Sequence, residues 1–569
     1  MADPEEDKQA EGLEAATEQS CPVEMYNRKR CGRPIHTTPP GVDKEPVCLM
    51  HSKDPNKSDA AFQEEFERIL RDAGEGCADF TRFVFPSANY AEREFRAVCI
   101  FADATFMQNA DFFLATFTQG AEFSLATFTR GANFAEATFM QDARFSSTEF
   151  MQDVSFMKAT FTQEANFTGA MFTQNAYFSG ATFTQDANFK IAAFTENAFF
   201  TGATFNQNAY FRRATFTTEA CFENTVFKRM ARFVGATFKE RVEFLETEFR
   251  DDVEIQPGPM LNLVRFEKPE LVLFYKTYLG HALLHNCDVS SFLFSSVRWR
   301  GRPGNGKRMV FEEVIDTKHK AAAALRTKDD NPNDRNYDLI AELYQQLKKN
   351  YDDKRDYWTA GDFHYGEMEM KRLATPQPNH LSRWFAEKIK KSLTNENPSI
   401  LARWAKRKGY SERSFHFFRR EWHRSVGLAA LYKYASEYGE SYGRPVLWLV
   451  GFLFLFMFLY PILGLRPTLK VGAAQAAAHE FLSSGAGTAE LSYRNYIHYG
   501  SLQPGGEKLS FPALLGHSLM TSVGVAALQR DLAYEPSYPW GRALSWFELA
   551  LTSTLIALFL LAVRRQFRR

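Results

Sequence analysis

The stretch ATFTQDANFKIAAFTENAFF, residues 181–200, decides the fold. Its Phe residues at 183, 189, 194 and 200 are spaced six, five and six, and Ala181, Ala187, Ala192 and Ala198 stand two places before them. Two apolar positions separated by one outward residue is strand alternation, not helical periodicity. The same clock runs outward in both directions. Large residues recur at alternating five- and six-residue steps from Tyr90, Phe95 and Phe101 to Phe244, Phe249 and Ile255, without a slip, so the unit is eleven residues. Short strands at fixed spacing, each with one small and one large inward residue, predict a solenoid that stacks Phe on Phe and Ala on Ala.

This pattern closely resembles the pentapeptide-repeat family, whose motif centres on Phe or Leu with Ala two before it. The resemblance implies a right-handed four-sided (quadrilateral) β-helix of roughly twenty residues per coil. The extra residue on alternate sides makes about 22 per coil here, and residues 80–255 then form about eight coils. Five-residue spacing returns at Phe274, Leu279, Leu284, Val289, Phe294 and Trp299, after IQPGPMLNLVRF (255–266) breaks the rhythm. The solenoid is therefore assigned to 78–300, in two stretches, behind a helical cap at 61–77. A solenoid is a surface rather than a site, so its function must be argued separately.

Some members of that family mimic DNA and bind topoisomerases through an acidic outer face. Here, between 101 and 210, ten acidic residues stand against Arg130, Arg144, Lys158 and Lys190, a mild excess. The recurrence of Thr-Phe-Thr (116–118, 127–129, 160–162, 182–184, 215–217) resembles ice-binding β-helices. Glu149, Met171 and Ala193 interrupt one such face, and Thr is simply a good strand residue. A rigid spacer or docking rod, whose protein partner the sequence does not identify, is the reading preferred over both.

Lys plus Arg (68) equals Asp plus Glu (68), so global charge points to no partner. The N-terminal twenty residues are acidic and lack an apolar run, which predicts that the early chain stays in a reducing compartment with its cysteines as thiols or metal ligands. Within 1–60, Cys21, Cys31, Cys48 and His51 are four soft ligands in about thirty residues, closing with Cys-x2-His, and are candidates for a structural zinc. Cys99 and Cys287 occupy the small inward slot two before Phe101 and Val289 and read as core.

Beyond the solenoid, GRPGNGKR (301–308) has Arg308 where a phosphate loop needs Ser or Thr, so 301–336 reads as a linker. Residues 337–440 read as helical and juxtamembrane. Ile340, Leu343, Tyr344, Leu347 and Tyr351 make one helical face, and Ala360-Gly361 suggests the break of a helical hairpin. Between 383 and 424 twelve cations interleave with aromatics against four Glu, a composition suited to an anionic lipid surface rather than to nucleic acid.

Two apolar runs, 445–465 and 543–563, each match a membrane-spanning helix of roughly 20 residues. The basic block before the first and RRQFRR (564–569) after the second predict an integral protein of the cell membrane with both termini cytoplasmic and 466–542 outside. Within that loop, 511–528 is apolar but short, a candidate re-entrant helix. Two spans around a short helix resemble the ion-channel pore superfamily, which implies a homotetramer. Thr521, Ser522, Val523, Gly524 and Val525 are similar to the potassium-filter pattern Thr-Val-Gly-Tyr-Gly. Ser522 interrupts that pattern and Val525-Ala526 replaces Tyr-Gly, so potassium selectivity is not implied. Glu548, near the outer end of the second span, is the expected pore-facing carboxylate. The alternatives are an ion-channel-like protein with a cytosolic docking or sensing rod and a non-conducting membrane-anchored scaffold. No nucleophile–base pair or cofactor loop points to an enzyme.

Overall fold

A computed structural model describes residues 20–37, 42–249, 260–315, 335–374, 424–425, 427–467, 492–493, 510–529, 532 and 534–567. The chain divides into two units, 1–367 and 368–569.

In the first unit, strands of two to four residues build four parallel sheets of eight, nine, ten and eight strands, one per side of the solenoid. Register follows the 22-residue coil: Phe161 pairs with Phe183, and Ala165 with Ala187. Phe161 and Phe183 stack at 4.9 Å with rings 2° apart, and Phe183 stacks on Phe205 at 4.7 Å. Rings on neighbouring sides meet edge-to-face instead, as Phe183 and Phe189 do at 82°. Both arrangements suit the ring quadrupole.

The uneven clock has a local cause. On each five-residue side the chain turns through a tight β-turn, as where Ala192 N–H donates to Phe189 C=O with Ile191 at φ +60°. The same left-handed position recurs every eleven residues and is glycine at 169, 180, 202 and 235. The six-residue sides spend their extra residue in a wider bend, as at Thr184–Gln185. Thr-Phe-Thr recurs for a plain reason too: its second hydroxyl caps the coil before it, Thr129 donating to Phe106 C=O at 2.8 Å and Thr162 to Phe139 C=O at 2.9 Å.

The expected break at 255–266 does not divide the solenoid. Arg265 pairs with Thr237 and Phe266 stacks on Phe238 at 5.3 Å, so the chain re-enters the same sheet there. Ile255 lies outside the described residues. The closing coil has a 20-residue register, Phe274 on Phe294, as the plain five-residue spacing requires.

Both ends are capped. Helix α1 (Asp59–Ala73) lays Phe62 and Phe66 over the first coil, Phe66 facing Phe80 at 4.6 Å. At the far end helix α2 (Tyr337–Asp353) buries the predicted face Ile340, Leu343, Tyr344, Leu347 and Tyr351. Its Asn350 amide donates to Val289 and Phe292 carbonyls at 2.9 and 2.7 Å, and Gln346 accepts the Val289 N–H. The hairpin break lies at Lys354–Asp356, not at Ala360-Gly361, because the Asp356 carboxylate caps the Thr359 N–H and starts helix α3 (Tyr357–Leu373) there. Residues 300–315 are not a linker either. They form a hairpin pairing Arg300 with Met309, and Glu312 is buried, taking the Leu284 and His285 N–H groups.

The second unit contains the end of α3, then α4 (Leu428–Ser436), α5 (Gly443–Leu463), α6 (Phe511–Ala526) and α7 (Pro539–Phe567). α5 and α7 are long and apolar enough to cross a membrane. Glu369 receives Arg372 at 2.6 Å, Lys433 at 2.8 Å and the Tyr438 hydroxyl at 2.8 Å. Burial works to raise this carboxyl, but those three donors outweigh it and hold Glu369 down to about 2.

Three outcomes are expected. Ile191→Asn relieves a β-branched side chain from a left-handed backbone and should stabilise the protein by about 0.5–1 kcal/mol in chemical unfolding. Phe189→Ala should cost about 3–5 kcal/mol. Glu369→Gln should lower stability by about 2–3 kcal/mol at neutral pH. Because the folded group titrates below its ordinary 4.5, the wild-type advantage is present above pH 4.5 and fades towards pH 2. Melting curves whose separation is independent of pH would contradict this.

Candidate functional site

The N-terminal ligands converge. Short antiparallel bridges, Ser20 with Pro34, Glu24 with Arg30 and Ile35 with Cys48, fold the loop back on itself, and Gly32 takes φ +65° at the turn after Cys31. The ligand atoms of Cys21, Cys31, Cys48 and His51 all lie within 4.8 Å of one another. Cys31 and Cys48 sulfurs are 3.7 Å apart, and His51 Nδ1 is 3.4 Å from Cys21 Sγ and 3.2 Å from Cys48 Sγ. Metal–sulfur bonds of about 2.3 Å at tetrahedral angles place two sulfurs about 3.8 Å apart, so the cluster has the dimensions of a four-coordinate site. These four residues could hold a metal ion.

The surroundings prepare the ligands. His51 Nε2–H donates to Thr81 C=O at 3.0 Å, which leaves the Nδ1 lone pair facing the sulfurs. Arg33 donates to Cys31 Sγ at 3.3 Å and is itself held by Glu65 at 2.8 Å. The thiols cannot all ionise unaided: hydrogen bonding to Cys21 draws Cys31 down, while Cys21 and Cys31 push Cys48 up. A bound cation removes that conflict. Lys57 is buried and donates to Leu49 C=O (3.0 Å), Ser52 C=O (2.8 Å) and Val84 C=O. Neither Arg33 nor Lys57 was legible as part of the site: Lys57 is held by backbone carbonyls, and Arg33 is aimed at Cys31 by Glu65, 32 positions away.

The second set of expected site residues is arranged differently from a filter. Thr521, Ser522, Val523, Gly524 and Val525 lie inside helix α6, not in an extended loop. The carbonyls of Val523, Gly524 and Val525 accept from Ala527, Gln529 and Leu528, so they are spent within the helix and its cap. A filter needs such carbonyls facing an ion. Gly524 has another role: a Cβ there would stand 2.5 Å from Leu532, so glycine lets the returning chain pack against the helix.

Helix α6 runs antiparallel to α5. Leu514 packs with Phe456, Tyr460 and Leu465, Ser518 donates to Met457 C=O at 2.7 Å, and Ser522 reaches Leu453 C=O at 3.5 Å. Strands 465–467 and 534–536 then pair, returning the chain to the end where α6 began. Glu548 is fully buried and hydrogen-bonded to Tyr460 on α5 and Ser522 on α6. It joins three helices within one chain. Tyr460 was not legible as its partner, being 88 residues away.

Comparison with known families matches the pentapeptide-repeat model (nine copies) to residues 101–149, 123–171, 145–190 and 167–215. Residues 101–215 of the solenoid are pentapeptide repeats. Among solved structures, the trypsin-treated variant of QnrB1, a plasmid-mediated fluoroquinolone resistance protein, is similar at 13% identity. That match covers 38% of this chain and 86% of that one, at a TM-score of 0.17. No curated protein matches.

Glu548→Ala strands two buried hydroxyls and should destabilise the second unit by about 1–3 kcal/mol, whereas Glu548→Gln, which can still pair with both, should cost less than half as much. Thermal unfolding in detergent distinguishes them. Equal losses would show that the hydrogen bonds are not what Glu548 contributes.

Proposed function

We propose that this chain is a membrane-anchored scaffold: a pentapeptide-repeat rod on the cytoplasmic side, tethered by α5 and α7, that presents its lateral faces to a protein partner. The observation that carries this reading is the filled interior of the rod. The inward Phe rings from Phe101 to Phe244 are buried along the axis, and both ends are covered by α1 and α2, which leaves the four outer faces as working surface. Positive charge before α5 and after α7 supports cytoplasmic termini. The basic block 383–424, which except for Arg424 lies outside the described residues, suits contact with anionic lipid.

The scaffold reading is preferred to conduction because the filter-like carbonyls are engaged within α6 and Glu548 is engaged by Tyr460 and Ser522. Homotetramer formation belongs to the channel reading and is not carried over. Nor do the acidic residues of the solenoid favour a DNA-mimic role, since many pair with cations of the same face, as Glu136 does with Lys158 and Glu122 with Arg144. The Cys3His cluster is read as structural zinc, because nitrogen and sulfur donors fill all four positions of a tetrahedral site.

Purified full-length protein in liposomes should pass no ion current under voltage and pH steps, and should contain one zinc per chain. A cation current altered by Glu548→Gln would overturn the scaffold reading in favour of the channel. Absence of zinc after purification without chelators would overturn the metal assignment.

A further inference from the structure

The ligand-bearing loop also closes the open edge of the first coil. An edge strand presents unpaired N–H and C=O groups that must be covered. At strand 84–85 the Val84 N–H donates to Met50 C=O at 2.8 Å, and Met50 stands between the ligands Cys48 and His51. Val84 C=O accepts from Lys57, whose other two acceptors, Leu49 and Ser52, flank the same ligands. Thr81 C=O is taken by His51 itself. At strand 77–79 the Asp79 carboxylate accepts the Tyr26 N–H at 3.1 Å. The exposed side of Phe83 is covered by the His51 ring at 5.0 Å and the Arg33 guanidinium at 5.4 Å.

That cover has little of its own to hold it. Among the described residues of 20–57, the buried apolar or sulfur side chains are Cys21, Met25, Cys48 and Met50, and two of these are metal ligands. So small a set does not offset the entropy of ordering the loop without a cross-link.

Resting on the zinc reading above, we infer that metal occupancy of Cys21, Cys31, Cys48 and His51 governs whether the solenoid's first edge is closed. With metal bound, the loop seals strands 77–79 and 84–85. When metal leaves, the loop releases and those strands and Phe83 become accessible, while later coils, held by their own neighbours, stay intact. The tip of the rod is thus a metal-dependent lock on a β-edge.

The test uses full-length protein in detergent, with zinc content and amide hydrogen exchange measured on the same samples. Chelation, or Cys48→Ser, should remove zinc and lower protection of residues 77–85 by about 100-fold or more, with strands 138–238 unchanged. Lys57→Met should keep its zinc yet lose protection at 84–85, since it removes the link and not a ligand. If zinc is bound at one per chain but its removal leaves 77–85 protected, or loosens all coils equally, the lock is overturned and the zinc assignment stands. Wild-type protein without zinc overturns the assignment on which the lock rests.

Discussion

Axial stacking of phenylalanine on phenylalanine, one coil above the next, is the constraint on which the solenoid depends. Strand spacing in a parallel sheet is fixed near 4.8 Å by backbone hydrogen bonding, and offset aromatic rings are comfortable at nearly the same distance. Phe139 and Phe161, at 4.9 Å and 0°, satisfy both demands at once. Any slip of register would place a Phe beside an Ala slot, so between Ala88 and Phe249 each side enforces the same 22-residue period. Where a polar residue does take the small inward slot its hydroxyl is spent on backbone, as Thr148 donates to Phe123 C=O at 2.7 Å. Over the longer interval from Phe238 to Phe266 the stack is kept all the same.

A stack of this kind has no natural end, and the ends are where side chains outside the repeat matter. Asn350, Gln346 and Lys354 meet the last coil's backbone groups, and Lys57, His51 and the Met50 carbonyl meet those of the first. The two caps differ in what holds them. The C-terminal cap is an apolar helix face with Tyr351 stacked on Phe294 at 5.8 Å, a packing solution. The N-terminal one rests on α1 and on a loop with almost no core, in which the four candidate ligands converge.

In the second unit the apolar helices are joined by polar groups at their contacts. Ser518, Ser522 and Tyr460 direct hydroxyls at carbonyls or at Glu548, an economical way to specify neighbours among helices whose side chains are otherwise apolar. Gly524 serves the same packing by admitting Leu532. Residues that read as a filter in one dimension are helix–helix contacts in three.

The repeat, its side lengths, the inward Phe and Ala columns, the 20-residue closing coil and the two spanning-length helices were all determined by the sequence alone, because each is a periodic or compositional property that local physics reads without knowing distant partners. So were the four metal-ligand candidates, whose residue types admit few other uses. Tertiary structure decided what depends on separation along the chain. The re-entry of Arg265 and Phe266 into an older sheet, the capping of Val84 by Lys57, the burial of Glu312, which lies in a stretch that reads as a linker, against Leu284 and His285, and the pairing of Glu548 with Tyr460 all join residues 27 to 88 positions apart. The conformation of Thr521–Val525 belongs there too. The same five residues can be a loop or a helix, and it is the chain packed against Gly524 and the partners of Ser522 that choose.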